Sequence, residues 1–220
     1  MAETILLTGA ASTVGQVIAA ALERAGDRLR PTDAVDLTDP GLAASLVRGV
    51  DAVVHLAPRV LVDALPDAPA GDLLDVAARG THVLYRAALE AGVTRVVQAS
   101  ALAVMDAYPE ELEVTEQWRP RPGPEPKHLA PYLAELVARE FTRDPRLEAR
   151  LAVVCLRLAD FDDLRPEEAA QAVVRALAGL REGRRARGHR FLLFHVAPLS
   201  PTARYSSALA QRVLGYGPSG

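Results

Sequence analysis

Five short apolar runs, each followed by a segment with apolar residues at helical spacing, constrain this 220-residue chain more than anything else in it. The runs are TILLTG from Thr4, DAVVHLA from Asp51, TRVVQAS from Thr94, LAVVCLRL from Leu151 and FLLFHV from Phe191. A weaker strand is expected at Arg28 to Thr32. Strands that are apolar throughout are buried on both faces, so the sheet they form is parallel and helices cover both of its sides. Right-handed crossovers then give an α/β architecture, a doubly wound parallel sheet in a three-layer sandwich. The helical segments begin with Val14, Val17, Ile18, Ala21 and Leu22, closed by Gly26. Further helices are expected after Pro40, at 72–91, 131–142 and 166–181, and from about Thr202 to Leu214. Pro109, Pro120, Pro122, Pro124, Pro126 and Pro131 predict a loop over 106–131, with neither a regular helix nor a central strand. No repeat and no linker divides the chain, so residues 1–220 are expected to form a single domain.

Basic residues number 25 against 28 acidic ones, a formal net charge of −3. That balance excludes a general binder of nucleic acid or anionic membrane, which needs a basic surface. One cysteine excludes a disulfide framework and a cysteine-based zinc site. The absence of a signal-like start and of any long apolar run leads to the expectation of a soluble cytoplasmic protein. Lys127 is the only lysine.

In a doubly wound sheet, ligands sit beyond the carboxyl ends of the strands, near the first one. The first strand-to-helix turn reads TGAASTVG, residues 8–15. Gly9 permits a tight turn and Gly15 a close approach of helix to strand. The amides near Thr13 and Val14, at the positive end of the helix, suit a pyrophosphate. An ordinary glycine turn would look the same.

The longer blocks narrow the choice. ILLTGAASTVG, DLTDPGLAASLVRGVDAVVHLAP, GTHVLYRAALEAGVTRVVQAS and the tail SPTARYSSALAQRVLGYGP resemble the extended short-chain dehydrogenase/reductase family. The likeness is to its NAD-dependent epimerase/dehydratase group, and within it to uronate dehydrogenases. It implies a Rossmann-type domain binding NAD or NADP, with a pocket derived from a sugar or sugar-acid site and a homodimer formed through helices 72–91 and 131–142. Carried over by position, Gly9, Ser12 and Gly15 take the three glycine places of the turn. The middle glycine is thus a serine, whose Cβ crowds the pyrophosphate while its hydroxyl offers a hydrogen bond. Asp33 falls where an acidic residue holds the adenosine ribose, which favours NAD. Asp36 and Leu37 match an adenine-contacting pair, and Ala57 and Pro58 follow the strand along which the cofactor passes. Asp33 and Asp36 stand only three residues apart, so a helix and a strand normal to the family are missing. Turn and helix-cap chemistry is the alternative for both aspartates.

The family's hydride chemistry uses a tyrosine as acid/base, a lysine four residues later to lower its pKa, a serine or threonine and an asparagine. PYLAELVARE resembles the tyrosine helix, with Tyr132 in the tyrosine place and Leu136 in the lysine place. Ala101 takes the serine place, Ala77 the asparagine place, and Met105 the tyrosine place of the V-Y-G signature. A phenol titrating near ~10 is a poor base at neutral pH without a neighbouring cation. Hydride transfer of the family type is therefore expected to be absent or strongly impaired, and the loop LADFDDLR leaves the substrate lid short in the reduced C-terminal part, 159–220. The alternatives are a non-catalytic regulatory or partner-binding protein, or a non-redox cyclase or isomerase. Tyr132 remains the first candidate for acid/base work, with His128, paired with Tyr132 or with Glu135 for non-redox work, as the second.

His55, His82, His128, His189 and His195 show no metal-ligand spacing, so no metal is expected and His55 and His195 read as structural. Cys155 reads as a small buried residue. Asp160, Asp162 and Asp163 suggest a solvated loop capping the helix at Pro166, and Arg181 to Arg190 a solvated connector. Leu74, Ala78, Tyr85 and Leu89 form a second apolar side on the 72–91 helix, which asks for a partner.

Overall fold

The computed structural model describes residues 2–33, 36–144, 151–183, 190–200 and 203–217. His189, most of the Arg181–Arg190 run and the predicted helix start at Thr202 fall outside them. Six parallel strands form one sheet in the order β2-β1-β3-β4-β5-β6. They are β1 (Thr4–Thr8), β2 (Arg28–Thr32), β3 (Ala52–His55), β4 (Arg95–Ala101), β5 (Ala152–Leu158) and β6 (Phe191–Val196). The chain leaves β1 toward β2 on one side and returns to β3 on the other. That reversal opens a crevice at the carboxyl ends of β1 and β3.

Alternate residues of the strands feed two cores. Ile5, Leu7, Val54, Val97 and Val154 pack under α1 (Thr13–Arg24), α7 (Pro166–Arg181) and α8 (Ala208–Leu214). Leu6, Val53, Val96 and Val153 face α2 (Pro40–Val47), α5 (Thr81–Glu90) and α6 (Pro126–Arg143). The three-layer sandwich follows. Edge strand β2 carries Pro31 and two arginines, which discourage further strand pairing. Asp39 caps α2 by accepting from the Gly41 and Leu42 amides at 2.6 and 3.0 Å.

Several boundaries differ from expectation. A helix absent from the sequence reading, α3 (Ala57–Ala64), begins one residue after β3 ends. The predicted 72–91 helix is an unbroken succession of α4 (Ala70–Asp75), a π-helical turn (Val76–Gly80) and α5. The proline-rich loop ends earlier than expected, because α6 starts at Pro126 and runs through Pro131. Pro126 lies in the first turn, where no amide proton is needed. Pro131 removes only one interior bond, and burying its ring against the pocket wall accompanies that loss. Within the chain, part of the second apolar side of 72–91 is covered: Tyr85 is fully buried and bonded to Gln98, while Leu74 and Leu89 are partly buried against the chain's own clusters. Helix α7 is capped by Glu168, which accepts from the Arg165 amide at 3.1 Å, and not by Asp160, Asp162 or Asp163. The last helix is shorter than expected, beginning at Ala208.

A buried polar chain ties β1, β3, α3 and the π-turn together. The Ala57 amide donates to Thr8 Oγ1 at 3.2 Å, and Thr8 Oγ1 lies 3.0 Å from His55 Nδ1. His55 Nε2 lies 3.1 Å from Thr81 Oγ1, which donates to the Ala77 carbonyl at 2.6 Å. Since the Thr81 proton is committed to that carbonyl, Nε2 carries a proton and donates to Thr81 Oγ1. Burial pulls the imidazole pKa down to about 3, so near neutral pH the ring is uncharged and Nδ1 accepts from Thr8. Burial, together with the Arg157 charge, likewise pulls His195 down to about 3.

Both histidines take up a proton near pH ~6.5 in the unfolded chain but not in the native one, so the unfolded state binds more protons between these limits. Stability is expected to fall as pH drops from 6.5 toward 3, each histidine steepening the slope by up to about 1.4 kcal/mol per pH unit. Urea midpoints measured at pH 7 and pH 5 check this, and a flat profile contradicts it.

Candidate functional site

The carboxyl end of β1 opens on a cleft of about 690 Å³. It is lined by the turn residues Gly9, Ser12, Thr13 and Val14, by Asp33, by Val60, Asp63 and Leu65, and by Phe161 and Pro166. Gly9 has φ +72°, and a Cβ there would stand 2.9 Å from Val60 Cγ2. A Cβ on Gly15 would stand 2.4 Å from the Gly9 carbonyl oxygen, so only glycine lets α1 pack this tightly on the turn. Ser12 is the N-cap of α1. Its hydroxyl accepts from the Gly15 amide at 3.1 Å and donates to the Gly9 carbonyl at 2.8 Å. That hydroxyl is therefore engaged inside the turn. The Thr13 and Val14 amides have no acceptor within the helix and stand at its positive end.

The other candidates for cofactor contact separate into two groups. Asp33 lines the cleft and is exposed. Asp36 instead accepts from the Thr38 hydroxyl and amide at 2.6 and 2.9 Å, bonds that hold its carboxyl below the usual range. Leu37 is fully buried beside Gly80, in the core and away from the cleft. Ala57 and Pro58 are buried in the first turn of α3. Pro58 lines the next cavity along.

That second cavity, about 280 Å³, shares Asp63 and Phe161 with the first and Asp106 and Asp160 with a third of about 700 Å³. The three make a trench along the carboxyl edge of the sheet. Ala101, the serine place, faces the middle cavity together with Arg59, Lys127, His128 and Pro131. His128 lies in the first turn of α6 rather than in a loop, with Nε2 3.8 Å from Asp106 Oδ2. Asp106 Oδ1 accepts from the Tyr205 hydroxyl at 2.6 Å; burial, with this carboxylate, pushes the phenol well above its usual range.

Tyr132 lies off this trench, half-buried against Val104, Met105, Tyr108 and Val114. Leu136, in the lysine place, is 38% exposed, and Ala77 is buried in the π-turn. Helix α6 turns Pro131 and Glu135 inward instead. Glu135 and Arg157 are fully buried and bonded at two points, Nε to Oε1 at 2.8 Å and Nη2 to Oε2 at 2.7 Å. Ser100 donates to Glu135 Oε1 at 2.6 Å, and Arg157 Nη1 reaches Met105 Sδ at 3.2 Å. Glu135 is thereby excluded as a partner for His128 in acid/base work. Sequence reading missed this pair, although an arginine inside the apolar run at 151–158 was its signal. Among the described residues no group of three or more His, Cys, Asp or Glu is arranged to hold a metal ion.

The profile of the NAD dependent epimerase/dehydratase family matches residues 5–183. The chain belongs to this family. A family relative, an NAD-dependent glucose-6-phosphate dehydrogenase from Haloferax volcanii, is 29% identical over 138 residues, covering 54% of the chain and 51% of the relative. The chain thus spans about half the length of that curated relative. Among solved structures, a dTDP-glucose 4,6-dehydratase from Streptomyces venezuelae with NAD bound superposes with TM-score 0.76 at 21% identity, covering 99% of this chain and 92% of that one. A glucuronic acid dehydrogenase from Chromohalobacter salexigens gives TM-score 0.74 at 19% identity, over 100% and 85% of the two chains. These likenesses establish the Rossmann-type fold. No helix among the described residues is long and apolar enough to cross a membrane.

Removing one member of the buried pair leaves a charge without its counterion. Arg157→Met is expected to cost about 3–5 kcal/mol of stability, and Glu135→Leu added to it is expected to restore most of the loss. Urea unfolding of both variants checks this. A double variant no more stable than the single one contradicts it.

Proposed function

We propose that this chain binds a nicotinamide dinucleotide in the cleft at the end of β1, NAD in preference to NADP, and lacks the family's phenol–lysine route for hydride transfer. The observation that carries the reading is the convergence of the Gly9–Val14 turn, the free amides of α1 and the Asp33 carboxylate on one cleft. The residues fit the group: the two glycine positions admit no Cβ, and the positive helix end faces the cleft. Asp33 would accept from the ribose hydroxyls and oppose a 2′-phosphate. Ser12 holds the turn shut and leaves Thr13 and Val14 to bind phosphate oxygens.

Bound there, NAD would supply a hydride acceptor. Family-type transfer also needs a phenol beside a cation, and this chain does not bring the two together. Tyr132 packs outside the trench, while Lys127 and Arg59 line it. Ala77 and Ala101 have no side-chain proton to donate. The pocket keeps the position of a sugar or sugar-acid site and has lost its standard tetrad.

A second reading is favoured by His128, which faces the trench next to Asp106. That pair suits non-redox proton transfer, as in an isomerase or cyclase. Tyr132→Phe separates the candidates, because an activity that depends on the phenol is lost with the fold intact, and one that depends on His128 survives. A regulatory or partner-binding role would leave binding unaltered in Tyr132→Phe. A homodimer through 72–91 and 131–142 belongs to the same family reading, with Leu136 the exposed side chain it would cover. Sedimentation velocity measures it.

Calorimetric titration with NAD⁺, NADH, NADP⁺ and NADPH into the millimolar range tests the main reading. The unphosphorylated pair is expected to saturate and the phosphorylated pair to bind about tenfold more weakly, a difference near 1.4 kcal/mol. Asp33→Ser is expected to narrow that gap. Absence of binding by all four overturns the cofactor role.

A further inference from the structure

We propose that the open half of edge strand β6 pairs with the same strand of a second copy of this chain, joining two sheets across a two-fold axis. This contact lies at the edge of the sheet and requires no ligand in the trench.

The two edges of the sheet differ in kind. At one end β2 carries Arg28, Arg30 and Pro31, which oppose strand addition. At the other, β6 reads FLLFHV, with no proline, lysine, arginine or carboxylate. A bare apolar edge of this kind is a template for another strand. Its exposure is uneven. Phe194, His195 and Val196 are buried, whereas Phe191, Leu192 and Leu193 are all half-exposed. Phe191 and Leu192 lie against the two cores on opposite faces, and Leu193 packs in neither.

The backbone shows which groups are free. The Val153 amide donates to the Arg190 carbonyl at 2.8 Å and the Ala159 amide to the Val196 carbonyl at 2.9 Å. Even-numbered residues of β6 therefore bond to β5, and the amides and carbonyls of Phe191, Leu193 and His195 point away from the sheet. Glu116 Oε1 accepts from the His195 amide at 2.9 Å and ends the open edge there. Phe191 and Leu193 have no backbone partner on that side among the described residues.

A second copy fits these groups. In antiparallel pairing centred on Leu192, Phe191 exchanges N–H···O bonds with the partner's Leu193, and Leu193 with the partner's Phe191. Leu192 then meets the partner's Leu192 side by side. No other two-fold register satisfies both residues and leaves the His195 amide with Glu116. Charge is complementary in the same register. The Arg139 guanidinium of α6 lies 5.0 Å from the Phe191 ring and has no ion-pair partner among the described residues. Phe191 falls opposite the partner's Leu193, two residues or about 7 Å along the strand from the partner's His195, whose amide Glu116 holds. An arginine side chain spans that distance, and the amide engages only one oxygen of Glu116. Pairing also closes on itself, because β2 is blocked and cannot receive β6 in an open chain of copies.

Sedimentation velocity of the full chain from about 1 to 500 μM tests this, with a dimer of Kd on the order of 10 μM expected of so small a contact. Hydrogen exchange at the Phe191 and Leu193 amides is expected to slow about tenfold across that range. Leu193→Pro removes only an outward amide and is expected to weaken the dimer about tenfold or more with the fold intact. Leu193→Lys sets a charge beside the partner's Phe191 and carries the same test should the proline variant fail to fold by circular dichroism. Arg139→Glu is expected to weaken the dimer too, and less as salt is raised. Leu136→Glu, on the helix face of the family-type dimer, is expected to leave this contact unaltered. A chain monomeric at every concentration overturns the proposal. So does a dimer that Leu136→Glu disperses and both Leu193 variants leave intact, a result that assigns the contact to the helices instead.

Discussion

The Glu135–Arg157 pair sets the roll of α6, and the trench takes its shape from that roll. Two ions withdrawn from water are each penalised by several kcal/mol, and their attraction compensates only when every donor and acceptor is engaged. Here Glu135 receives three hydrogen bonds, two from Arg157 and one from Ser100, so the geometry leaves little freedom. Rotating α6 by one residue would bring Tyr132 inward and leave two buried charges apart. The helix is held with Pro131 and Glu135 toward the sheet, Tyr132 to one side and Leu136 toward solvent. A tyrosine and a residue four positions later cannot both serve the pocket from there, whatever the later residue is.

The same roll presents the first turn of α6 to the middle cavity. Starting the helix at Pro126 rather than Pro131 places Lys127 and His128 on an ordered scaffold instead of a loop. Helix α3 builds the opposite wall and contributes Val60 and Asp63 to the first cavity and Arg59 to the second. It is anchored at its first residue, where the Ala57 amide donates to Thr8 and Thr8 leads on to His55.

How much of this was legible in the sequence depended on the range of the interaction. The five apolar runs marked five strands, because a strand buried on both faces needs apolar residues throughout. Gly9 and Gly15 marked the turn through a steric demand that each meets locally. Asp33 was placed by the family likeness, which implies an acidic residue just after the second strand. Helix α3 was hidden because LAPRVL continues the apolar run of β3, and nothing in so short a segment separates strand from helix. The start of α6 was hidden by its prolines, whose exclusion from helices does not extend to the first turn. The ion pair joins residues 22 apart on different elements, and no periodicity reports such a contact. Its one sequence trace, a charge inside an otherwise apolar strand, identifies a buried arginine but not its partner.

Ser12 shows how a replaced residue can change the means and retain the result. A glycine in the middle of such a turn gives a ligand room. Serine gives less room, yet its hydroxyl closes the loop from Gly9 to Gly15 and satisfies one of the free amides of α1. Relative to glycine at an N-cap, serine stabilises a helix by only about a few tenths of a kcal/mol, so the gain in the firmness of the turn is small. Its cost falls on the ligand, which meets a Cβ and finds the Gly15 amide already engaged. A dinucleotide held here would depend more on the Thr13 and Val14 amides and on Asp33 than on close backbone contact along the whole turn.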